Sequence, residues 1–180
     1  MKPGGINQLY QAAFTKLPIA SHRPHVAMAV LDCFSRYLLV LRVSVRATTT
    51  DCMKGLDTAL AEARRVSEIP ARRTIALLTD CDPKAFAHLS FDLADSPFQC
   101  LSPHDRTFRS LGMVRSFMRA LRDEEICLHA YRSLAEAQRS LELFRHSYNF
   151  ERPHQALAYK CPAQLFCKNF EHPDGSCPRF

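Results

Sequence analysis

The sequence predicts one α/β domain built on a mixed sheet. Two apolar runs of strand length, "HVAMAVLD" (25–32) and "RYLLVLRVSV" (36–45), flank a short polar turn, the pattern of a β-hairpin. Downstream, segments of helical period alternate with shorter apolar runs, as in a sheet covered by helices. With 180 residues, 47% of them hydrophobic and 23% charged, the chain is long enough for a single proper core.

Each element has its own justification. "LYQAAFTKLPI" (9–19) can supply a strand before the hairpin, with "ASHRPH" (20–25) as a loop. "TTTDCMKGLDTALAEARRVSEIP" (48–70) opens on capping residues, repeats Met53, Leu56, Leu60, Ala63 and Val66 at helical spacing, and ends at Pro70. "RTIALLTD" (73–80) is a short buried strand closed by Asp80. "PKAFAHLSFDLA" (83–94) is a helix with proline in its first turn. "FQCLS" (98–102) is a further strand, residues 103–110 a polar loop, and "FRSLGMVRSFMRALRDEE" (108–125) a helix. The last long helix, 133–149, starts with the capping box Ser133/Glu136 and buries Leu134, Ala137, Leu141, Phe144 and Tyr148. Residues 150–166 read as extended or turn-like. Residues 1–166 form the domain and 167–180 a tail.

Twenty-four Lys and Arg against 18 Asp and Glu give a net charge of +6, which favours polyanionic partners. No apolar run reaches membrane length, and the start "MKPGGINQLYQ" is no secretion signal, so a cytoplasmic protein without membrane contact is expected. The eight cysteines then read mostly as small buried apolar residues. Cys167, His172 and Cys177 could form part of a zinc site, but they lack paired C-x-x-C spacing.

Within the helix 108–125, at about 100° per residue, Val114, Phe117, Met118 and Leu121 share one face. Arg115, Arg119 and Arg122 form a stripe beside it. Two readings stand: a solvated surface whose arginine stems cover apolar neighbours, or a helix that lays guanidinium groups on phosphates.

"YNFERPHQALAYKCPAQLF" (148–166) resembles the closing signature of insertion-sequence transposases related to retroviral integrases, through Tyr148, Asn149, Arg152, Pro153, His154, Ala156, Leu157, Tyr159 and Pro162. "AVLDCFSRYLLVLRV" (29–43), "LLTDCDPKAF" (77–86) and "SFMRALRDEE" (116–125) are similar to the family's hairpin, middle-acid segment and acid-bearing helix, in the family's order. The resemblance covers residues 8–166. It implies a ribonuclease H-like fold, a five-stranded mixed sheet flanked by helices, and phosphodiester hydrolysis and strand transfer by two Mg²⁺ or Mn²⁺ ions on three carboxylates.

Carried over residue by residue, the resemblance keeps the middle acid as Asp80. The first acid falls at Ala13, by alignment of Tyr10 and Thr15, and the third falls at Arg115, two residues before Phe117. Asp82 is a weak additional metal ligand beside Asp80. Asp32 is read as orienting the hairpin turn. Asp123 and Glu124 lie about 12 and 13 Å beyond Arg115 along the helix axis, at about 1.5 Å per residue, too far to replace it. The expectation is therefore a transposase/integrase core-like domain that binds nucleic acid but is inactive in strand transfer. It needs no cofactor, and would use Mg or Mn if active after all. Nucleic-acid contacts are expected from Arg109, Arg115, Arg119, Arg122, Arg152 and His154. No helix-turn-helix module is read ahead of the first strand, so DNA backbone contact is expected rather than base readout. A homodimer, or a complex with a related transposase, is the expected assembly. The alternatives are an active enzyme with a rearranged site and a protein-interaction module that has lost DNA binding.

Overall fold

The computed structural model describes residues 3–20, 25–70, 73–79, 88–89, 93–94, 96–101 and 112–170. Five strands form one sheet: β1 (Leu9–Leu17), β2 (His25–Asp32), β3 (Leu38–Ser44), β4 (Ile75–Thr79) and β5 (Phe98–Cys100), in the spatial order β3-β2-β1-β4-β5. β1 runs antiparallel to β2, as β2 does to β3. β4 lies parallel to β1, and β5 parallel to β4. The sheet is therefore mixed, as the sequence predicts. The helices are α1 (Thr49–Val66), α2 (Gly112–Leu121), α3 (Leu134–Phe150) and α4 (Pro162–Phe166). Most of the helix expected over 83–94 lies outside the described residues, as does the loop 103–110.

Helices cover both faces of the sheet, which is why its central strands read as unbroken apolar runs rather than alternating ones. Tyr10, Ala12, Met28 and Val30 point to the α1 side, where they pack with Leu56, Ala59 and Phe166. Ala13, Ala27, Ala29 and Leu31 point to the α2–α3 side, among Val114, Phe117, Leu121, Leu141 and Tyr148. The β2–β3 register slips between Val30–Val40 and Leu31–Leu38, leaving Leu39 as the extra residue of a bulge. At Gly55 α1 packs tightly on the sheet: a Cβ there would lie 2.4 Å from the Met28 sulfur.

The hairpin turn is built on Asp32, which is fully buried. Its carboxylate accepts from the Asn7 backbone N–H at 2.9 Å, the Ser35 N–H at 2.8 Å and the Ser35 hydroxyl at 2.7 Å. Burial raises its pKa, and these bonds offset part of the rise. Asp32 therefore orients the turn, as its place in the sequence suggests.

Two expectations for the C-terminal third are corrected. The helix ending near 125 changes character at Arg122: residues Arg122–Ile126 form a π-helical turn, which rotates Glu125 and Ile126 into the interior. Glu125 there accepts hydrogen bonds from the Tyr131 hydroxyl at 2.8 Å and the Ser140 hydroxyl at 2.5 Å. The segment after α3, read as extended or turn-like, does contain a turn, the 3₁₀ turn Gln155–Leu157, but it also ends in a short helix, α4. Pro162 sits in the first turn of α4, and the Gln164 side chain accepts from the Cys161 N–H at 2.8 Å; both features favour starting a helix. Residues 167–170 fold back on the domain. The Lys168 N–H bonds the Val66 carbonyl at 2.8 Å, and Phe170 stacks on Phe150. His172 and Cys177 lie outside the described residues.

Candidate functional site

The site lies at the described end of β4. Among the described residues, β1 pairs with β4 from Leu9–Ala76 to Ala12–Thr79, and Ala13 is the next residue of β1. The N-terminal turn of α2 is pinned to the same strand, because the Val114 N–H donates to the Gln11 side-chain carbonyl at 3.0 Å. That bond satisfies one of the amides a helix start leaves without an internal partner. Val114, Phe117 and Leu121 then sink into the core, which turns the arginine stripe toward the open side.

Between β1 and α2 lies an open cleft of about 250 Å³, lined by Ala13, Phe14, Thr15, Val114, Arg115, Met118, Arg119 and Arg122. Ala13 is only 1% exposed. The three arginines are exposed, and none of their side chains hydrogen-bonds or ion-pairs with another described residue. The structure thus brings Ala13, Arg115, Arg119 and Arg122 to one place. Asp80, Asp82 and Arg109 lie outside the described residues; Thr79, which pairs with Ala12, immediately precedes Asp80 in the chain.

The other two residues of the sequence-based set sit elsewhere. Arg152 forms a two-pronged ion pair with Glu124 of the π turn, one prong at 2.8 Å. His154 packs edge-on against Tyr148, with ring centroids 4.8 Å apart, and its Nε2 is buried with no hydrogen-bond partner among the described residues. Burial, with the nearby charges of Arg152 and Arg36, depresses its pKa to about 4, so the ring is neutral at physiological pH. Around them the closing segment is tied to the sheet. The Asn149 amide receives the Leu38 N–H at 2.8 Å and donates to the Leu38 carbonyl at 3.0 Å. Gln138 does the same for Val43 and Leu41. These amides lie on one face of α3 and satisfy the outer edge of β3 as another strand would. No feature of the sequence short of a full helix–strand register marks Gln138 for this role.

Metal chemistry of the integrase kind needs a cluster of oxygen ligands. At two of the three positions the family resemblance assigns to carboxylates, the cleft presents a methyl group and a guanidinium. Among the described residues no group of three His, Cys, Asp or Glu could hold a metal ion. Among the described residues the donors at this site do not suit a hard divalent cation: Ala13 offers no oxygen, and Arg115 brings like charge.

Comparison with known proteins gives a consistent answer. The family model "Integrase core domain" matches residues 99–162. The Burkholderia multivorans protein described as "Insertion element IS407 uncharacterized 31.7 kDa protein" is 25% identical over 175 residues, covering 93% of this chain and 58% of that protein. The chain therefore spans little more than half the length of that relative. Among solved structures, the simian T-cell lymphotropic virus intasome in complex with the PP2A regulatory subunit B56 gamma superposes with a TM-score of 0.68 at 17% identity, over 92% of this chain and 56% of that one. The HTLV-2 integrase catalytic core domain in complex with magnesium gives 0.64 at 12% identity, over 91% and 98%. The catalytic domain of Mos1 mariner transposase gives 0.55 at 10% identity, over 78% and 71%. The fold is that of the ribonuclease H-like integrase and transposase catalytic cores. The family-model match and the insertion-element relative agree with it in supporting the integrase/transposase core family.

Among the described residues, no helix is long and apolar enough to cross a membrane.

Proposed function

We propose that this chain is an integrase/transposase core-like domain that binds nucleic acid through the β1–α2 cleft and does not carry out strand transfer. One observation carries the reading. Ala13 and Arg115, the two positions where the resemblance expects metal-binding carboxylates, line one cleft together with Arg119 and Arg122. A site that gathers cations in place of acids is suited to phosphate and unsuited to Mg²⁺ or Mn²⁺. Guanidinium forks match phosphate oxygens in pairs, and the three arginines stand within two turns of one helix. Arg109 joins them as a candidate on sequence grounds. Arg152 and His154, held by Glu124 and Tyr148, act through the fold instead. DNA is the expected partner, contacted along its backbone. A second copy, or a related transposase, is the expected assembly, in keeping with the dimeric form of the HTLV-2 core.

Fluorescence anisotropy of labelled duplex DNA in EDTA, across a salt series, tests the binding. If three phosphates are neutralised, log K should fall against log salt with a slope of about −2.7, at roughly −0.9 per contact. Absence of salt-sensitive binding would remove the nucleic-acid reading, and Mn²⁺-dependent nicking or joining of DNA ends by the purified chain would remove the inactivity. The alignment has its own check. Ala13→Asp combined with Arg115→Glu should raise Mn²⁺ affinity, measured by calorimetry, well above that of the parent; unchanged affinity would discard the register.

A further inference from the structure

The capacity and charge of the cleft narrow what it can hold; this step rests on its reading as a nucleic-acid surface. The described part of the cleft, about 250 Å³ and open to solvent, is large enough to seat one phosphate group. The stripe from Arg115 to Arg122 spans about 10 Å, at roughly 1.5 Å per residue, so all three guanidinium groups can turn toward a single ligand. The rest of the lining is Ala13, Phe14 and Thr15 of β1 and Val114 and Met118 of α2. No carboxylate stands among the described lining residues to oppose an anion.

We propose that the cleft receives a terminal phosphate, the phosphomonoester at a nucleic-acid end, in preference to an internal phosphodiester. An internal phosphate carries one negative charge and two free oxygens, with the chain continuing on both sides. A terminal phosphate carries about −1.5 to −2 at neutral pH and three strong acceptor oxygens. It therefore gives three guanidinium forks more acceptors and more charge to neutralise. It is also attached on one side only, so it can enter a short concave site that the flank of a duplex would bridge over. The Arg115 guanidinium meets the phosphate directly, without a bridging metal ion, so end recognition is independent of divalent cations.

The experiment uses the full chain in EDTA and one short duplex made in three forms: with 5′-phosphates, with 3′-phosphates, and with hydroxyl ends only. Competition against a labelled duplex should rank one phosphorylated form about tenfold tighter than the hydroxyl form, the effect of one added charge-assisted hydrogen bond. The two phosphorylated arms identify which end is read. Arg115→Ala and Arg119→Ala should each erase the preference, whereas Arg139→Ala, an exposed change on α3 away from the cleft, should keep it. Equal affinity for all three duplexes would overturn the inference, as would a preference that survives Arg115→Ala. If salt-sensitive binding persists in either case, the proposed function stands and only end recognition falls; if no duplex binds at all, both fall.

Discussion

The two flanks of α2 are put together in different ways. On one flank the closing segment is knitted to the sheet: Asn149 bonds both backbone groups of Leu38, Arg152 pairs with Glu124, and Tyr148 packs against Phe117. On the other flank, Arg115, Arg119 and Arg122 project into an open cleft without partners among the described residues. Buried polar groups that satisfy one another rigidify a fold, since leaving one unpaired costs about 1–3 kcal/mol. Exposed cations without counter-charges contribute almost nothing to folding and keep their hydrogen-bonding capacity for something that arrives. Substitutions on the two sides of this helix should therefore act on different quantities.

The largest effect on stability is expected from Phe166→Ala. Phe166 is 1% exposed and lies flat on Tyr37, with ring centroids 4.5 Å apart. The Tyr37 hydroxyl in turn bonds Glu62 of α1 at 3.1 Å, so one ring ties α4 to α1 and to the residue that leads into β3. Removing it should cost about 3–5 kcal/mol, read as a lower urea midpoint. A loss under about 1 kcal/mol would mean that the closing segment is not integral to the fold.

The sequence displays the sheet more clearly than the site, for physical reasons. "HVAMAVLD" and "RYLLVLRV" announce themselves because strands buried on both faces need apolar residues at every position. Ala13 and Arg115 could be paired only by way of a family resemblance, since neither a methyl group nor a surface guanidinium announces chemistry by itself. Arg152 shows the limit from the other side. In the sequence it stands in a motif beside His154 and looks free to meet a phosphate, but its partner Glu124 lies 28 residues earlier. No local pattern encodes that distance. The π turn at Arg122–Ile126 was equally hidden, because its cause, the burial of Glu125 between Tyr131 and Ser140, is tertiary.

A smaller effect on the closing flank should follow pH. His154 has a folded-state pKa of about 4 against an ordinary value of 6.5. Between those values the unfolded chain binds a proton that the folded chain refuses, so stability falls as pH drops through that window and is fully present above it. Given the partial burial of the ring, the loss is on the order of 2 kcal/mol. Urea unfolding of the parent and of His154→Gln at pH 7, 5.5 and 4.5 isolates this contribution from that of the carboxylates. The two stability curves should converge as pH falls. Parallel curves would mean that His154 titrates normally and is not held neutral by its surroundings.

The smallest effect on stability belongs to the cleft. Arg115→Ala, Arg119→Ala and Arg122→Ala should each move the unfolding free energy by no more than about 0.5 kcal/mol, as expected of exposed side chains without partners among the described residues. Each should lower the salt slope of DNA binding by about 1. The combination matters more than either number. A substitution that leaves the fold untouched and weakens binding uniformly across sequences marks a residue whose role is met by a ligand. If Arg115→Ala instead destabilised the protein by 2 kcal/mol or more, its guanidinium would be balancing a charge within the fold. The cleft would then belong with the closing segment, as part of the scaffold, and the contrast between the two flanks of α2 would dissolve.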